Sequence, residues 1–223
     1  MAVQRNIPTP SPNLQNHWES LYKAKNHSQI SWHQNRATLS LDWIIEHTNP
    51  NDEIIDVGSG VSILIDNLIE VGYSNLSAVE LSESAIGVTQ RRLGSKQSLV
   101  EFYCQSILDF ETHLRFDLWH DRAVFHFLTR ESEKKKYIRK LNTHLKTGGY
   151  FLLATFALDG PSMCSNLDVT PYDEKTISAL LADDFRMIKA ASEDHITPTG
   201  KLQKFNYFLL QKISTALKNN EVV

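Results

Sequence analysis

The chain has 223 residues, 41% hydrophobic and 22% charged, with a formal net charge of −3. That length supports one domain with a full hydrophobic core, and the mild acidity offers no basic face to a nucleic acid. No apolar run approaches the ~18 residues that a membrane span needs, and the polar start MAVQRNIPTPSP lacks the apolar stretch of a secretory leader, so a cytoplasmic location is expected. Two cysteines, Cys104 and Cys164, form no CxxC pair, and nine histidines show no ligand spacing. Neither a disulfide framework nor a metal site is therefore expected.

Residues 1–13 carry Pro8, Pro10 and Pro12 and read as a flexible lead-in. Leu14, Trp18, Leu21 and Tyr22 share one face of a helix predicted over 14–25, and a second helix is predicted over 36–47 with Leu39, Trp43 and Ile44 inward. Together they form a helical cap over 14–49. From residue 50 onward strands and helices alternate. Strands are predicted at Glu53–Val57, Leu76–Leu81, Leu99–Cys104, Phe116–His120 and Tyr150–Phe156. Helices are predicted at Ser62–Val71, Ser82–Leu93 and Glu131–Leu145, the last stopped by Gly148-Gly149. After a further helix at Asp173–Leu181, strands are predicted at Phe185–Ala191 and Phe205–Gln211. The stretch 192–204 between them leaves no room for a crossover helix, so these two strands should pair antiparallel. The pattern predicts an α/β fold: a doubly wound, mostly parallel seven-stranded sheet with one antiparallel strand, over 50–223.

In such a sheet ligands bind beyond the carboxyl ends of the strands. The first strand runs into Gly58-Ser59-Gly60, where glycines allow a sharp turn and close approach of a ligand, with Asp56 just before it. The second strand ends at Glu80, where a carboxylate can accept hydrogen bonds from both hydroxyls of a ribose. A dinucleotide site wants a third glycine where Ile63 stands, and that large side chain counts against a pyrophosphate ligand.

The stretch IIDVGSGVSIL (54–64) resembles the first motif of class I S-adenosylmethionine-dependent methyltransferases, and SAVELSESAI resembles their second. The resemblance spans about residues 50–212 and implies a Rossmann-like domain with S-adenosyl-L-methionine as cofactor and S-adenosyl-L-homocysteine as product. It places Glu80 on the ribose and Leu81 beside the adenine. The motif's third glycine is here Ser62. Ser106 stands where the family has an acidic residue for the adenine amino group, with Ile107 against the ring and Asp109 as the alternative.

The segment FDLWHDRAVFHFLTR (116–130) resembles the DRA-type motif of thiopurine and thiol methyltransferases and, less closely, the DKG-type motif of protein-lysine methyltransferases. It makes His120 and Asp121 the candidate catalytic groups, His120 also touching cofactor, and Arg122 and His126 candidates for substrate. HWESLYKAKNHSQISWHQ resembles the entry segment of both groups. By that likeness Trp18, Tyr22, Trp32 and His33 close the site, Trp32 against the cofactor. Cys164, in a predicted loop after the fifth strand, and His195 are further candidates. The expected activity is methyl transfer to a small nucleophile such as a thiol. A lysine in a protein is the alternative acceptor, and a cofactor-binding domain without catalysis is the second alternative.

Overall fold

A computed structural model describes residues 14–24 and 27–214; the expected lead-in at 1–13 lies outside the described residues. The elements in chain order are α1 (Leu14–Ala24), α2 (Thr38–His47), β1 (Ile54–Val57), α3 (Leu64–Glu70), β2 (Leu76–Glu80), α4 (Glu83–Leu93), β3 (Val100–Cys104), β4 (Phe116–Arg122), α5 (Glu131–His144), β5 (Leu145–Phe156), β6 (Met163–Cys164), β7 (Leu167–Asp168), α6 (Glu174–Leu181), β8 (Phe185–Ile196) and β9 (Leu202–Lys212). Seven strands form one sheet in the order β3-β2-β1-β4-β5-β9-β8. β9 runs antiparallel to both neighbours, and the other pairings are parallel. The predicted sheet with a single reversed strand is what the chain forms.

Strand alternation sends successive side chains to opposite faces, and the two cores follow from it. Ile54 and Leu118 pack with Leu41, Trp43 and Ile44 of α2 and Leu64, Ile65 and Leu68 of α3. Ile55, Val57 and Trp119 pack on the other face with Tyr137 and Leu141 of α5 and Ile177 and Leu181 of α6. α1 belongs to neither layer. Its Tyr22 joins Ile30, Val61 and Ala85 in a third cluster, with Trp18 and Trp32 against it.

Several boundaries differ from the sequence expectation. α5 ends at His144, and Leu145 already pairs with Phe116 as the start of β5. The register then shifts between Phe116 and Leu118. Gly149 lies where a Cβ would meet the Asp117 carbonyl oxygen at 2.8 Å, so the glycine pair serves an irregular strand crossing and not a helix stop. The final hairpin is longer than predicted. β8 continues to Ile196, and Lys201 N–H donates to Thr197 Oγ1 at 2.9 Å inside the short turn. The predicted loop after β5 contains the small hairpin β6–β7, turned through Ser165 and Asn166 at φ 50° and 62°.

Candidate active site

β1 and β4 are adjacent and parallel, with Asp56 in register with His120. Residues in register share a face, and here they bond: His120 Nδ1 lies 2.7 Å from Asp56 Oδ1. His120 Nε2 lies 2.9 Å from Ser40 Oγ on α2. Both residues are buried, and the second Asp56 oxygen, Oδ2, has no hydrogen-bond partner. Beyond β1 the chain turns through Gly58 and Gly60 at φ 63° and 51°, a region costly to residues with a Cβ. A Cβ on Gly58 would overlap the Val124 side chain, and one on Gly60 would overlap the Tyr22 hydroxyl. The turn is therefore bare backbone enclosed by side chains from two other segments.

Glu80 closes the neighbouring corner. Its carboxylate accepts from Gly60 N–H and from Ser82 N–H, each at 2.9 Å. Burial pushes its carboxyl up to about 6, and these N–H bonds limit the rise. Gln105, Ser106, Ile107 and Leu108 continue the same wall from the end of β3. Asp109, the alternative to Ser106, points elsewhere: it is 69% exposed and pairs with Lys136 at 2.6 Å.

One cavity spans the carboxyl ends of the strands. Asp56, Gly58, Ser59, Glu80, Leu81, Ser106, Ile107 and His120 line it, together with Trp18, Tyr22, Trp32, His33, Arg122 and Cys164. Gly60 abuts it through its N–H to Glu80. Three further sequence candidates stand apart, Asp121, His126 and His195. Asp121 is the strand neighbour of His120 and faces the other side of the sheet. There its carboxylate accepts from Tyr137 Oη at 2.5 Å and from Val124 and Phe125 N–H. It is fully buried away from the cavity wall, and burial raises its carboxyl to about 6. Its geometry is that of a brace for the turn after β4, which corrects the expectation of a catalytic group. His126 lies behind Phe127 and Phe156, where Nδ1 accepts from Phe156 N–H at 3.3 Å. Burial, and then the Arg122 charge, hold its imidazole down at about 3. His195 is outside the cavity wall as well, and its Nε2 lies 2.7 Å from the Ser31 carbonyl oxygen.

The far end of the cavity lies over β4, β5 and the start of β9. Arg122 is two residues after His120 and so on the same face. Its Nε donates to Tyr207 Oη at 2.9 Å, its Nη1 to the Trp32 carbonyl at 3.2 Å, and its guanidinium sits 4.6 Å from the Phe205 ring centre. Gln34, Gln203 and Phe205 share this end. None of the three was a sequence candidate, though the alternation Gln203, Phe205, Tyr207 marks one face of a strand. α1 forms the roof. Trp18 meets Trp32 at 5.8 Å and Phe127 at 5.3 Å between ring centres. Glu19 fixes the roof to the N-terminus of α4, accepting from Ser82 Oγ (2.6 Å), Ser84 Oγ (2.6 Å) and Ser84 N–H (3.1 Å). These bonds pull its carboxyl down to about 2. Among the described residues no group of three or more His, Cys, Asp or Glu is placed to hold a metal ion, and no helix is long and apolar enough to cross a membrane.

Residues 48–219 match the methyltransferase domain family. The chain is 22% identical to human "EEF1A lysine methyltransferase 2" over 156 residues, which covers 62% of this chain and 66% of that protein. It is 26% identical to the Danio rerio protein of the same name, covering 49% of this chain and 50% of that one. The chain thus spans two thirds or less of these relatives' length. A crystal structure of Burkholderia thailandensis 1,6-didemethyltoxoflavin-N1-methyltransferase, with bound 1,6-didemethyltoxoflavin and S-adenosylhomocysteine, shares the fold at a TM-score of 0.69 and 17% identity, covering 96% of this chain and 98% of that one. The chain belongs to the methyltransferase domain family and has the Rossmann-like architecture of the class I S-adenosylmethionine-dependent methyltransferases.

Proposed function

We propose that the protein transfers a methyl group from S-adenosylmethionine to a small nucleophile that is neutral or anionic, such as a thiol. The residues of the cavity fit this cofactor. The Gly58–Gly60 turn is a cradle that a Cβ would fill, Asp56 Oδ2 is a buried acceptor without a partner, and Glu80, beside that turn, would take the ribose. Ser106 and Ile107 would take the adenine end, and Trp32 and Tyr22 would cover it from the roof. When bound, the cofactor supplies an electrophilic methyl on a sulfonium whose leaving group is a neutral thioether. The chain's own residues then have three tasks: to hold the acceptor in line, to exclude water, and to accept a proton where one is lost.

One observation carries the choice of acceptor. The far end of the cavity wall includes the cation Arg122, whose ion-pair partner Glu193, with Oε2 at 3.8 Å, is not part of the wall; the carboxylates that line the wall are Asp56, Glu80 and Glu133. A lysine ammonium would meet a like charge there. A thiol, already partly ionised near neutral pH (pKa ~8.5), would not. Of the two imidazoles in the wall, His120 is committed at both nitrogens. The His33 side chain makes no hydrogen bond among the described residues, and it is the group we assign to take a proton. His120 then serves to orient Asp56.

Relatives named for lysine methylation favour the second reading, a protein-lysine acceptor. A methyl-labelled cofactor assay on lysate split by size separates the two. Label confined to the small-molecule fraction supports the first reading, and label in a protein band supports the second. Cofactor binding with no label in either fraction would leave a domain that binds without catalysis.

A further inference from the structure

We propose that the far end of the cavity is an oxyanion subsite, in which Arg122 and Gln203 hold the carboxylate-bearing part of a small acceptor. This rests on the small-molecule reading above and adds the chemical class of the substrate.

The guanidinium is built into its place. Its side chain is 11% exposed, with Nε and Nη1 donating to Tyr207 Oη and the Trp32 carbonyl, and it lies over the Phe205 ring. Its Nη2 is buried and makes no hydrogen bond. Its ion-pair partner is Glu193 on β8, with Oε2 at 3.8 Å, and that carboxylate also accepts from Tyr207 Oη at 2.9 Å and Gln34 Nε2 at 3.2 Å. Glu193 is also absent from the cavity wall, whereas Arg122 is part of it. The cavity wall therefore includes the cation but not its counter-charge.

The same wall holds a second unsatisfied group: the Gln203 side-chain oxygen is buried without a partner. Buried polar atoms in folded proteins are almost always paired, and each exception calls for an explanation. Arg122 and Gln203, two residues of one cavity wall, each carry such an atom, and a ligand that brings an oxyanion to the guanidinium and an N–H or O–H to Gln203 explains the two together. The imidazoles around the guanidinium add little competing charge. Burial lowers both His126 and His195, and the Arg122 charge acts in the same direction. Phe127, Phe156 and Phe205 line the rest of this end, so the body of the ligand meets aromatic faces.

The test uses the protein saturated with S-adenosylhomocysteine, so that no turnover is needed. Benzoate, benzamide and benzylammonium share one ring and differ in charge, and their binding is compared by saturation-transfer NMR. The expected order is benzoate over benzamide over benzylammonium, with roughly tenfold or more between first and last, the size of one charge-assisted hydrogen bond. Arg122→Met should abolish the preference, and Arg122→Lys should retain part of it. Both should bind S-adenosylhomocysteine as the wild type does. Equal binding of the three probes to the wild type would overturn the subsite, and this arm needs no variant. A benzoate preference that survives Arg122→Met would overturn it as well. So would a loss of S-adenosylhomocysteine affinity in that variant, since the guanidinium would then serve the cofactor. Benzoate selectivity together with methyl label only in protein would sink the small-molecule reading and leave the subsite standing.

Discussion

Glu19 is the residue through which the roof can be tested. Its carboxylate takes three hydrogen bonds from Ser82 and Ser84, at 2.6, 2.6 and 3.1 Å, and ties α1 to the start of α4. Tyr22, one turn further along α1, rests its hydroxyl against Gly60. Release of Glu19 should therefore lift the side chains that enclose the glycine turn. A hydrogen bond to a charged group contributes ~1.5–3 kcal/mol, but the Glu19 side chain is 24% exposed and water replaces part of what is lost. A net loss of about 2–3 kcal/mol in Glu19→Ala follows, equivalent to a roughly 30- to 150-fold increase in the open population. Dissociation of S-adenosylhomocysteine, followed by stopped-flow fluorescence of Trp18 and Trp32, should accelerate by up to that factor. The pH dependence has a definite sign. The folded carboxyl is held at about 2, below its ordinary 4.5. The latch is thus complete above pH 4.5 and is lost as pH falls from there toward 2. Unchanged dissociation in Glu19→Ala, with melting temperature lowered, would show that Glu19 only stabilises the fold and that the roof does not gate the cavity.

Two further outcomes follow from the geometry. Gly58→Ala places a Cβ at φ 63° against Val124, so it should lose at least ~1–2 kcal/mol in urea unfolding and weaken S-adenosylhomocysteine binding; an unchanged unfolding midpoint would contradict the strain. Asp121 has its carboxyl raised to about 6 by burial, so the folded state gains stability as pH falls through 6 and loses it as pH rises. The stability gap between wild type and Asp121→Asn should accordingly be wider at pH 5 than at pH 7.5. A gap independent of pH would mean that Asp121 does not titrate in that range.

The sheet was legible because its signals are local. Four consecutive buried residues at Ile54–Val57, a bare glycine turn and Glu80 one strand later each follow from residues close in sequence. The reversed last strand was legible from loop length alone. What escaped depended on register and on distant partners. From the sequence β4 is expected to end at His120, and His120 and Asp121 are both candidates for catalysis. In fact the strand runs to Arg122, and the pleat sends these neighbours to opposite faces. Arg122 shares the His120 face, so the same alternation brings it to the cavity. Ser40 and Glu19 carry no motif of their own, and their partners lie 80 and 63–65 positions away. Gln203 fell inside a predicted loop because the polar residues of β8 and β9 hid an extended hairpin.

The central claim is that the Gly58–Gly60 turn and Glu80 hold the methyl donor. Isothermal titration of S-adenosylhomocysteine into the wild type and into Glu80→Ala tests it most directly. The account predicts one equivalent bound by the wild type and an affinity lowered by ~1–3 kcal/mol, roughly 5- to 150-fold, in the variant. No binding to the wild type, NAD bound in its place, or equal affinity in the two proteins would contradict it.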